Sequence, residues 1–306
     1  MNTTPYANSL FEQPWWLDIV APGQWQETLV QDDSGNVLAR MAYVTDGKNV
    51  FMPRLTQTLG IWMAPGVQAD YSAQKRVIQE LFQQVSRFRS VELALSPCNT
   101  YILPFRWLGY HMEPCFTYRL CDLSNCEALY AGFHKTAKKN IKYAGNKTTI
   151  SDVCQIETLL EMLDATFAAQ NRKNPIPREL VRRIVETCEA TGHGKYIEAK
   201  DGDGNVHSCA YFVYDEQACY YLLGASDSRF RSSGAQSLVL WEGIQFAAQH
   251  SSVFDFEGSM VEGIENFFRQ FGGVCTPYYT VSRRPFVGEV LQLVKPRVKR
   301  LLGYKM

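Results

Sequence analysis

A motif that occurs twice constrains the fold of this 306-residue chain more than any other feature of its sequence. The segment Phe105-Arg106-Trp107-Leu108-Gly109 recurs 163 residues later as Phe268-Arg269-Gln270-Phe271-Gly272. Three further pairs match at the same displacement: Pro114 with Pro277, Phe116 with Tyr279 and Thr117 with Thr280. Upstream, the turn sequence of residues 32–37 is repeated at residues 201–206. Repetition at a fixed spacing indicates a duplicated structural unit.

The elements between these markers follow one order in both halves. Apolar residues at helical spacing in 77–88 precede a short apolar strand at 91–95, and the same sequence of elements recurs before the strand at 253–257. The chain is therefore predicted to be α/β (α+β), with two lobes of similar topology. We expect the lobes to span residues 8–122 and 123–283, each a mixed twisted sheet flanked by helices. A basic amphipathic tail follows at 284–306.

Composition and motif searches exclude several classes of protein. Lysine plus arginine equals aspartate plus glutamate at 31 each, so no overall field attracts nucleic acid or anionic membranes. The nine cysteines contain no CxxC pair. No signal-peptide core or 18-residue apolar run is present, and HExxH, Walker and dinucleotide motifs are missing. A reduced, cytoplasmic protein without a metal is expected.

A strand, a basic loop and a helix follow one another at residues 220–245. The loop contains Arg229, Arg231 and Gly234, and free N–H groups at the start of a helix together with nearby arginines can bind a pyrophosphate. A helix start that is merely capped by serine explains the same residues, so both interpretations remain open.

Two carboxylates lie in the predicted strand 253–257. Alternation places Asp255 and Glu257 on one face, roughly 7 Å apart. They are either a structural ion-pair network that includes Arg269, or a general base and amine-binding group at the end of the strand.

Four lysines form a cationic stripe on a predicted helix over residues 127–143. Lys135, Lys138, Lys139 and Lys142 fall at positions i, i+3, i+4 and i+7. The stripe is either a solvated helix face or a surface that binds a phosphorylated partner.

The C-terminal half resembles the Fem-like branch of the GNAT acyltransferases. The resemblance is carried by the segments 254–259, 263–273 and 277–279, and it extends over most of residues 8–283. Residues 11–17 and 138–142 look like that family's two domain openings. The family implies two GNAT-like lobes, an acyl donor held against the splayed central strands of one lobe, and an amine acceptor.

The resemblance also implies roles for individual residues. Glu257 or Asp255 would deprotonate the acceptor amine, with Tyr278 and Tyr279 as the next candidates, and Lys138, Lys139 and Arg269 would contact the substrate. The residues expected to bind the donor are Leu223, Gly224, Arg229, Arg231, Ser232, Ser233, Gly234, Ala235 and Gln236. Gln236 departs from the family's loop pattern, which ends in a small residue, and this weakens the expected binding of CoA.

These features predict an N-acyltransferase that uses acyl-CoA as co-substrate, without a metal, and acylates an amine on a small molecule, sugar or cell-envelope precursor. Two alternatives stay open, a Fem-type enzyme that uses aminoacyl-tRNA and a non-catalytic binding protein of the same fold. Basic residues in 295–306 suggest a weak contact with an anionic membrane, so the cytoplasmic protein would work at the inner face of that membrane.

Overall fold

The computed structural model describes residues 1–258 and 260–285. By contacts, the chain divides into two compact units. The first comprises Met1–Cys115 and the described residues 277–285, and the second is Phe116–Thr276. The lobe limits 8–122 and 123–283 remain a prediction about the ends of the sequence repeat. The expected basic tail beyond residue 285, including the membrane contact at 295–306, lies outside the described residues.

The first unit is a mixed sheet covered by helices. Its elements are α1 (Pro14–Val20), β1 (Trp25–Gln31), β2 (Val37–Thr45), β3 (Asn49–Phe51), β4 (Ile61–Met63), α2 (Pro65–Gln68), α3 (Tyr71–Gln84), β5 (Ser90–Ala94) and α4 (Leu103–Trp107), with a 3-10 turn at Leu10–Glu12. The strand order is β1-β2-β3-β5, with β4 on β2, and residues 280–283 of the last strand pair with β5. The connection from β3 to its parallel neighbour β5 contains β4, α2 and α3, and α3 buries Val77, Ile78 and Leu81 in the core.

The second unit has the same kind of architecture. Strand β6 (His111–Leu120) leads into it, followed by α5 (Cys126–Gly132), α6 (Lys135–Gly145), β7 (Thr149–Ser151), α7 (Ile156–Ala168), α8 (Arg178–Thr191), β8 (Gly194–Lys200), β9 (Val206–Tyr214), β10 (Ala218–Ser226), α9 (Ala235–His250), β11 (Val253–Asp255) and α10 (Glu262–Phe268). Short 3-10 helices cover Ser228–Ser233 and Arg269–Phe271, and β12 (Val274–Arg283) follows. The strand order is β6-β11-β10-β9-β8-β7, and β10 and β11 are parallel. Within the described residues, no helix is long and apolar enough to cross a bilayer.

The two halves repeat local geometry at the positions where the sequence repeats. The Asn36 backbone N–H donates to Asp32 Oδ1 over 2.9 Å, and the Asn205 N–H donates to Asp201 Oδ1 over the same distance. In each unit the connection between two parallel strands contains a helix that precedes the second strand, α3 in the first unit and α9 in the second. The predicted fold class, α/β with a mixed sheet flanked by helices, is confirmed, and the matching turns support the duplication.

The predicted continuous helix over 127–143 is wrong. It is interrupted at Phe133, whose backbone is extended (φ −63°, ψ 147°), and α6 restarts with His134 as its N-cap. Phe133 is buried and makes edge-on ring contacts with Trp241 and Phe271. Burial of this ring in the core stabilises the break more than one further helical turn would.

Candidate active site

A cavity of about 600 Å³ opens where two parallel strands of the second unit separate. Strands β10 and β11 pair only where Ala218–Tyr220 lie beside Val253–Asp255. Beyond this point β10 continues to Ser226, whereas β11 ends. The strand residues that line the cavity are Tyr221, Leu222, Gly224, Ala225 and Ser226, and Phe256, Glu257 and Gly258 line the opposite wall. Of the two strand residues predicted to bind a donor, Gly224 lines the cavity and Leu223 does not.

The loop from β10 to α9 forms another wall. Residues Ser228–Ser233 form a 3-10 helix, and Gly234 (φ +74°) turns the chain into α9. A Cβ at Gly234 would lie 2.6 Å from the Asn140 carbonyl oxygen, so the positive φ and the close approach both require glycine. The loop residues that line the cavity include Arg231, Ser233, Gly234, Ala235 and Gln236.

The two arginines of the loop have different surroundings. Arg229 forms an ion pair with Asp227 (Nη2 to Oδ2, 2.7 Å) and lines a separate depression with Glu161 and Val206. Arg231 is exposed and lines the cavity, whereas Ser232 does not. Of the predicted cationic donor ligands, the structure therefore brings only Arg231 to the cavity wall.

Gln236, the departure from the family pattern, has a structural partner. Burial raises the pKa of the neighbouring Tyr221 phenol to about 12, and the Gln236 side chain acts to lower it. The Tyr221 hydroxyl lies 1.8 Å from the position that a Cβ of Gly224 would take. Gln236 is thus placed beside a tyrosine of the cavity wall, and a larger residue at position 224 would displace the Tyr221 hydroxyl.

Asp255 is a buried member of an ion-pair network. It is 1% exposed, accepts hydrogen bonds from Thr117 Oγ1 (2.6 Å) and the Glu257 N–H (2.8 Å), and lies 3.2 Å from Arg119 Nε. The partner suggested from the sequence, Arg269, is wrong. Arg269 instead lies 3.4 Å from Glu265, because both lie on the exposed side of α10 and the 3-10 turn after it.

Glu257 differs from Asp255 in almost every respect. Strand β11 ends at Asp255, so the predicted strand to residue 257 is too long, and Glu257 adopts a left-handed backbone (φ +60°) that side chains rarely take. It lines the cavity, and its buried Oε1 has no hydrogen-bond partner among residues 1–258 and 260–285. Burial, with a smaller effect of the Asp255 charge, raises its pKa well above the usual range. A carboxyl of this kind can take a proton from a substrate.

The other predicted contacts do not line the cavity. Lys138 donates to the Ala131 carbonyl oxygen over 2.9 Å, and Lys139 is exposed on the same helix, α6. Tyr278 and Tyr279 lie in the part of β12 that belongs to the first unit, whereas all residues lining the cavity belong to the second. Their catalytic and substrate-binding roles stay predictions.

Sequence reasoning missed part of the site. His207 on β9, Thr166 and Gln170 at the end of α7, and the apolar side chains Ile264 and Phe267 of α10 all line the cavity. Nothing in their local sequence marks them, because they come from elements that are distant in the chain. Among the described residues, no cluster of His, Cys, Asp and Glu could hold a metal ion.

Comparison with known proteins agrees with this geometry. Residues 132–269 match the family model described as an acetyltransferase (GNAT) domain. A search of curated proteins gives no match. The second unit thus contains a GNAT acetyltransferase domain.

Solved structures share the fold across nearly the whole chain. FemX superposes with a TM-score of 0.66 at 12% identity, covering 91% of this chain and 93% of its own. L-PGS from Bacillus licheniformis superposes with a TM-score of 0.56 at 11% identity, covering 94% of this chain and 91% of its own. A tandem GNAT protein from the clavulanic acid biosynthesis pathway superposes with a TM-score of 0.53 at 11% identity, covering 89% of this chain and 88% of its own. The GNAT domain within residues 132–269 and the fold implied by the resemblance are thereby confirmed.

Proposed function

We propose that the protein is an N-acyltransferase that moves an acyl group from acyl-CoA to an amine on a small molecule, sugar or cell-envelope precursor. The GNAT domain supports acyl or aminoacyl transfer in general. The finer assignment depends on the cavity, where the N-terminus of the 16-residue helix α9 and Arg231 meet the edge of β10. Helix N-termini and arginine favour phosphate, so this wall fits the pyrophosphate of CoA.

Glu257 is the observation that carries the proposal. Its carboxylate would accept a proton from the acceptor ammonium, and the neutral amine would then attack the acyl carbonyl. The new C–N bond forms as the C–S bond breaks, the electron pair leaves with the thiolate of CoA, and the second proton lost by the nitrogen passes to that thiolate. Residues of β10 that have no parallel partner beyond Tyr220 would direct backbone N–H groups at the carbonyl oxygen. No covalent enzyme intermediate is needed.

Isothermal titration with acetyl-CoA and longer acyl-CoAs tests the donor, and labelled acyl-CoA with a panel of amino sugars and envelope precursors tests transfer. We expect saturable binding of at least one acyl-CoA and label transferred to an amine. Absence of binding to every acyl-CoA and to charged tRNA would contradict the proposal and leave a non-catalytic binding protein.

An aminoacyl-tRNA donor is the second candidate, and the lysine stripe on α6 is the reason for it. Lys135, Lys139 and Lys142 are exposed, and phosphate contacts of this kind supply most non-specific affinity for nucleic acid. A gel shift with bulk aminoacyl-tRNA that weakens steeply with salt would favour this donor over acyl-CoA. We also propose that the protein is cytoplasmic and contacts the membrane through residues 295–306.

A further inference from the structure

His207 is a buried imidazole in the cavity wall that the proposed reaction does not use. It lies near the start of β9, is 7% exposed, and lines the same cavity as Glu257. Polar residues of the same cavity lining include Thr166, Gln170, Ser226, Asp227 and Ser228.

The hydrogen bonding of the ring fixes its tautomer. Nε2 lies 3.1 Å from Asp201 Oδ2. The pKa of Asp201 is lowered to about 2, mainly by the hydrogen bond from the Asn205 side-chain amide. Asp201 is therefore ionised and can only accept hydrogen bonds. The hydrogen must therefore be on Nε2, and in the neutral ring Nδ1 has a lone pair. Nδ1 is buried and has no hydrogen-bond partner in the described part of the chain.

The ring is also held from a second direction. It stacks on Phe230 with the ring centroids 3.8 Å apart and the planes 10° from parallel. Phe230 belongs to the 3-10 helix Ser228–Ser233 that leads to α9. A flip of the ring about its Cβ–Cγ bond would keep the stack but take Nε2 away from Asp201, so the imidazole cannot turn to another partner without losing that hydrogen bond. Buried polar atoms in folded proteins almost always have a partner, so the lone pair of Nδ1 indicates a ligand.

We propose that His207 contacts the acyl donor, and that its Nδ1 accepts a hydrogen bond from a hydroxyl or amide N–H of the donor's carrier. The inference rests on the proposed function, since it assumes that this cavity holds the donor. The donor is favoured over the acceptor because Phe230, which fixes the ring, lies in the loop proposed to bind the pyrophosphate. A neutral Nδ1 does not bind phosphate, but it suits the hydroxyl and amides of a pantetheine arm or the sugar hydroxyls of a terminal nucleotide.

Two amide variants separate binding from positioning. In His207→Gln, the side-chain N–H can still donate to Asp201, but no acceptor lies at the position of Nδ1. In His207→Asn, the side-chain oxygen can lie near the position of Nδ1, but the hydrogen bond to Asp201 is lost. If His207 binds the ligand, His207→Gln should weaken binding of acetyl-CoA about tenfold, and His207→Asn should stay within about threefold of the wild type. If the histidine only positions the turn, the order is reversed, and that result would overturn the proposal.

Controls and probes complete the test. His193→Gln is the matched control, because the His193 Nδ1 lies 2.9 Å from the Tyr214 carbonyl oxygen and its ring does not line the cavity. If both amide variants unfold at a lower temperature than the wild type, His207→Phe serves instead, because it keeps the stack on Phe230 and removes both nitrogens. This variant is expected to bind acetyl-CoA about tenfold more weakly than the wild type.

Titration with acetyl-CoA, S-acetylpantetheine and bulk aminoacyl-tRNA distinguishes the sources of the hydrogen bond. Equal losses for acetyl-CoA and S-acetylpantetheine support the pantetheine arm, and a loss for acetyl-CoA or aminoacyl-tRNA alone supports a sugar hydroxyl. If the wild type binds acetyl-CoA and all variants bind every probe as tightly as the wild type does, the inference is wrong and the proposed function stands. If the wild type binds none of these probes and no longer acyl-CoA, the proposed function fails and the inference fails with it.

Discussion

At the scale of single residues, two carboxyl groups only two positions apart have opposite environments. Asp255 is enclosed by donors, whereas Glu257 lines the cavity and has a buried oxygen without a hydrogen-bond partner in the described part of the chain. This contrast predicts opposite consequences for the two neutral amide substitutions.

Glu257→Gln should lower turnover by about 10²- to 10⁴-fold, because the amide keeps the size of the side chain and removes the base. Affinity for acyl-CoA should be nearly unchanged. Single-turnover kinetics with a saturating amine, together with titration of the donor, measure the two effects. Near-full turnover in the variant, under conditions where chemistry limits the rate, would exclude Glu257 as the base.

The raised pKa of Glu257 predicts how stability depends on pH. Below about pH 4.3, the ordinary value of an unfolded glutamate, both states hold the proton. Above that value the unfolded chain releases it while the folded chain keeps it, so the contribution of this group to stability is lost as pH rises through the folded pKa.

The melting temperature of Glu257→Gln minus that of the wild type should therefore increase from acid towards neutral pH. Calorimetry across this range measures the difference, and Asp255→Asn serves as the comparison. A difference that is flat or falls with pH would contradict the burial of Glu257.

Asp255→Asn should destabilise the second unit, because it leaves Arg119 without its buried counter-charge. Loss of one partner of a buried pair costs about 3 to 5 kcal/mol at the upper end. Chemical denaturation at pH 7 measures the cost, and a variant as stable as the wild type would show that the pair contributes little.

Sequence alone could identify these two carboxylates, but it could not predict the contacts that give them different environments. Thr117, which donates to Asp255, is 138 residues away in the chain, and Arg119 comes from the same strand, β6. Alternation predicted one shared face for Asp255 and Glu257. The left-handed backbone at Glu257 breaks that alternation, and no residue pattern predicts such a backbone for glutamate.

At the scale of elements, the loop and helix after β10 behave as one binding wall. Arg231→Ala should weaken binding of acyl-CoA, by about tenfold for one charge-assisted hydrogen bond, without loss of stability. Arg229→Ala is the matched control, because Arg229 pairs with Asp227 and lines a different depression. Equal effects of the two substitutions would show that the loop binds the donor in another way.

Element order was largely predictable, and element ends were not. The sequence predicts strands over residues 196–200, 208–214 and 218–223, and β8, β9 and β10 include these ranges because their hairpin turns are encoded locally. The break at Phe133 was missed, since its cause is contact with Trp241 and Phe271, far along the chain. The cavity depends on where β11 stops relative to β10, which local patterns do not specify.

At the scale of the whole molecule, the first unit is completed by the last described strand. Val281 is fully buried in the core of that unit, and Thr280–Arg283 pair with β5. A fragment of residues 1–122 lacks this strand and should not unfold cooperatively. Residues 116–276 are contiguous and should do so, which makes them the control in a calorimetric comparison. Cooperative melting of 1–122 would contradict the assignment of the strand.

The duplicated motif predicted two lobes of one topology, but a repeat in sequence does not say which lobe its last strand completes. Pairing between β5 and β12 joins residues nearly two hundred positions apart, and the printed sequence offers no local signal for it.

This arrangement has a consequence for synthesis on the ribosome. The residues that begin the chain cannot complete their sheet until residues 277–283 have left the exit tunnel, by which time the contiguous second unit is already available to fold. The half made later can therefore finish first, and the half made earlier must wait with an open β5 edge. Unpaired strand edges bind other chains, so the interval before β12 emerges is when chaperones would be needed most.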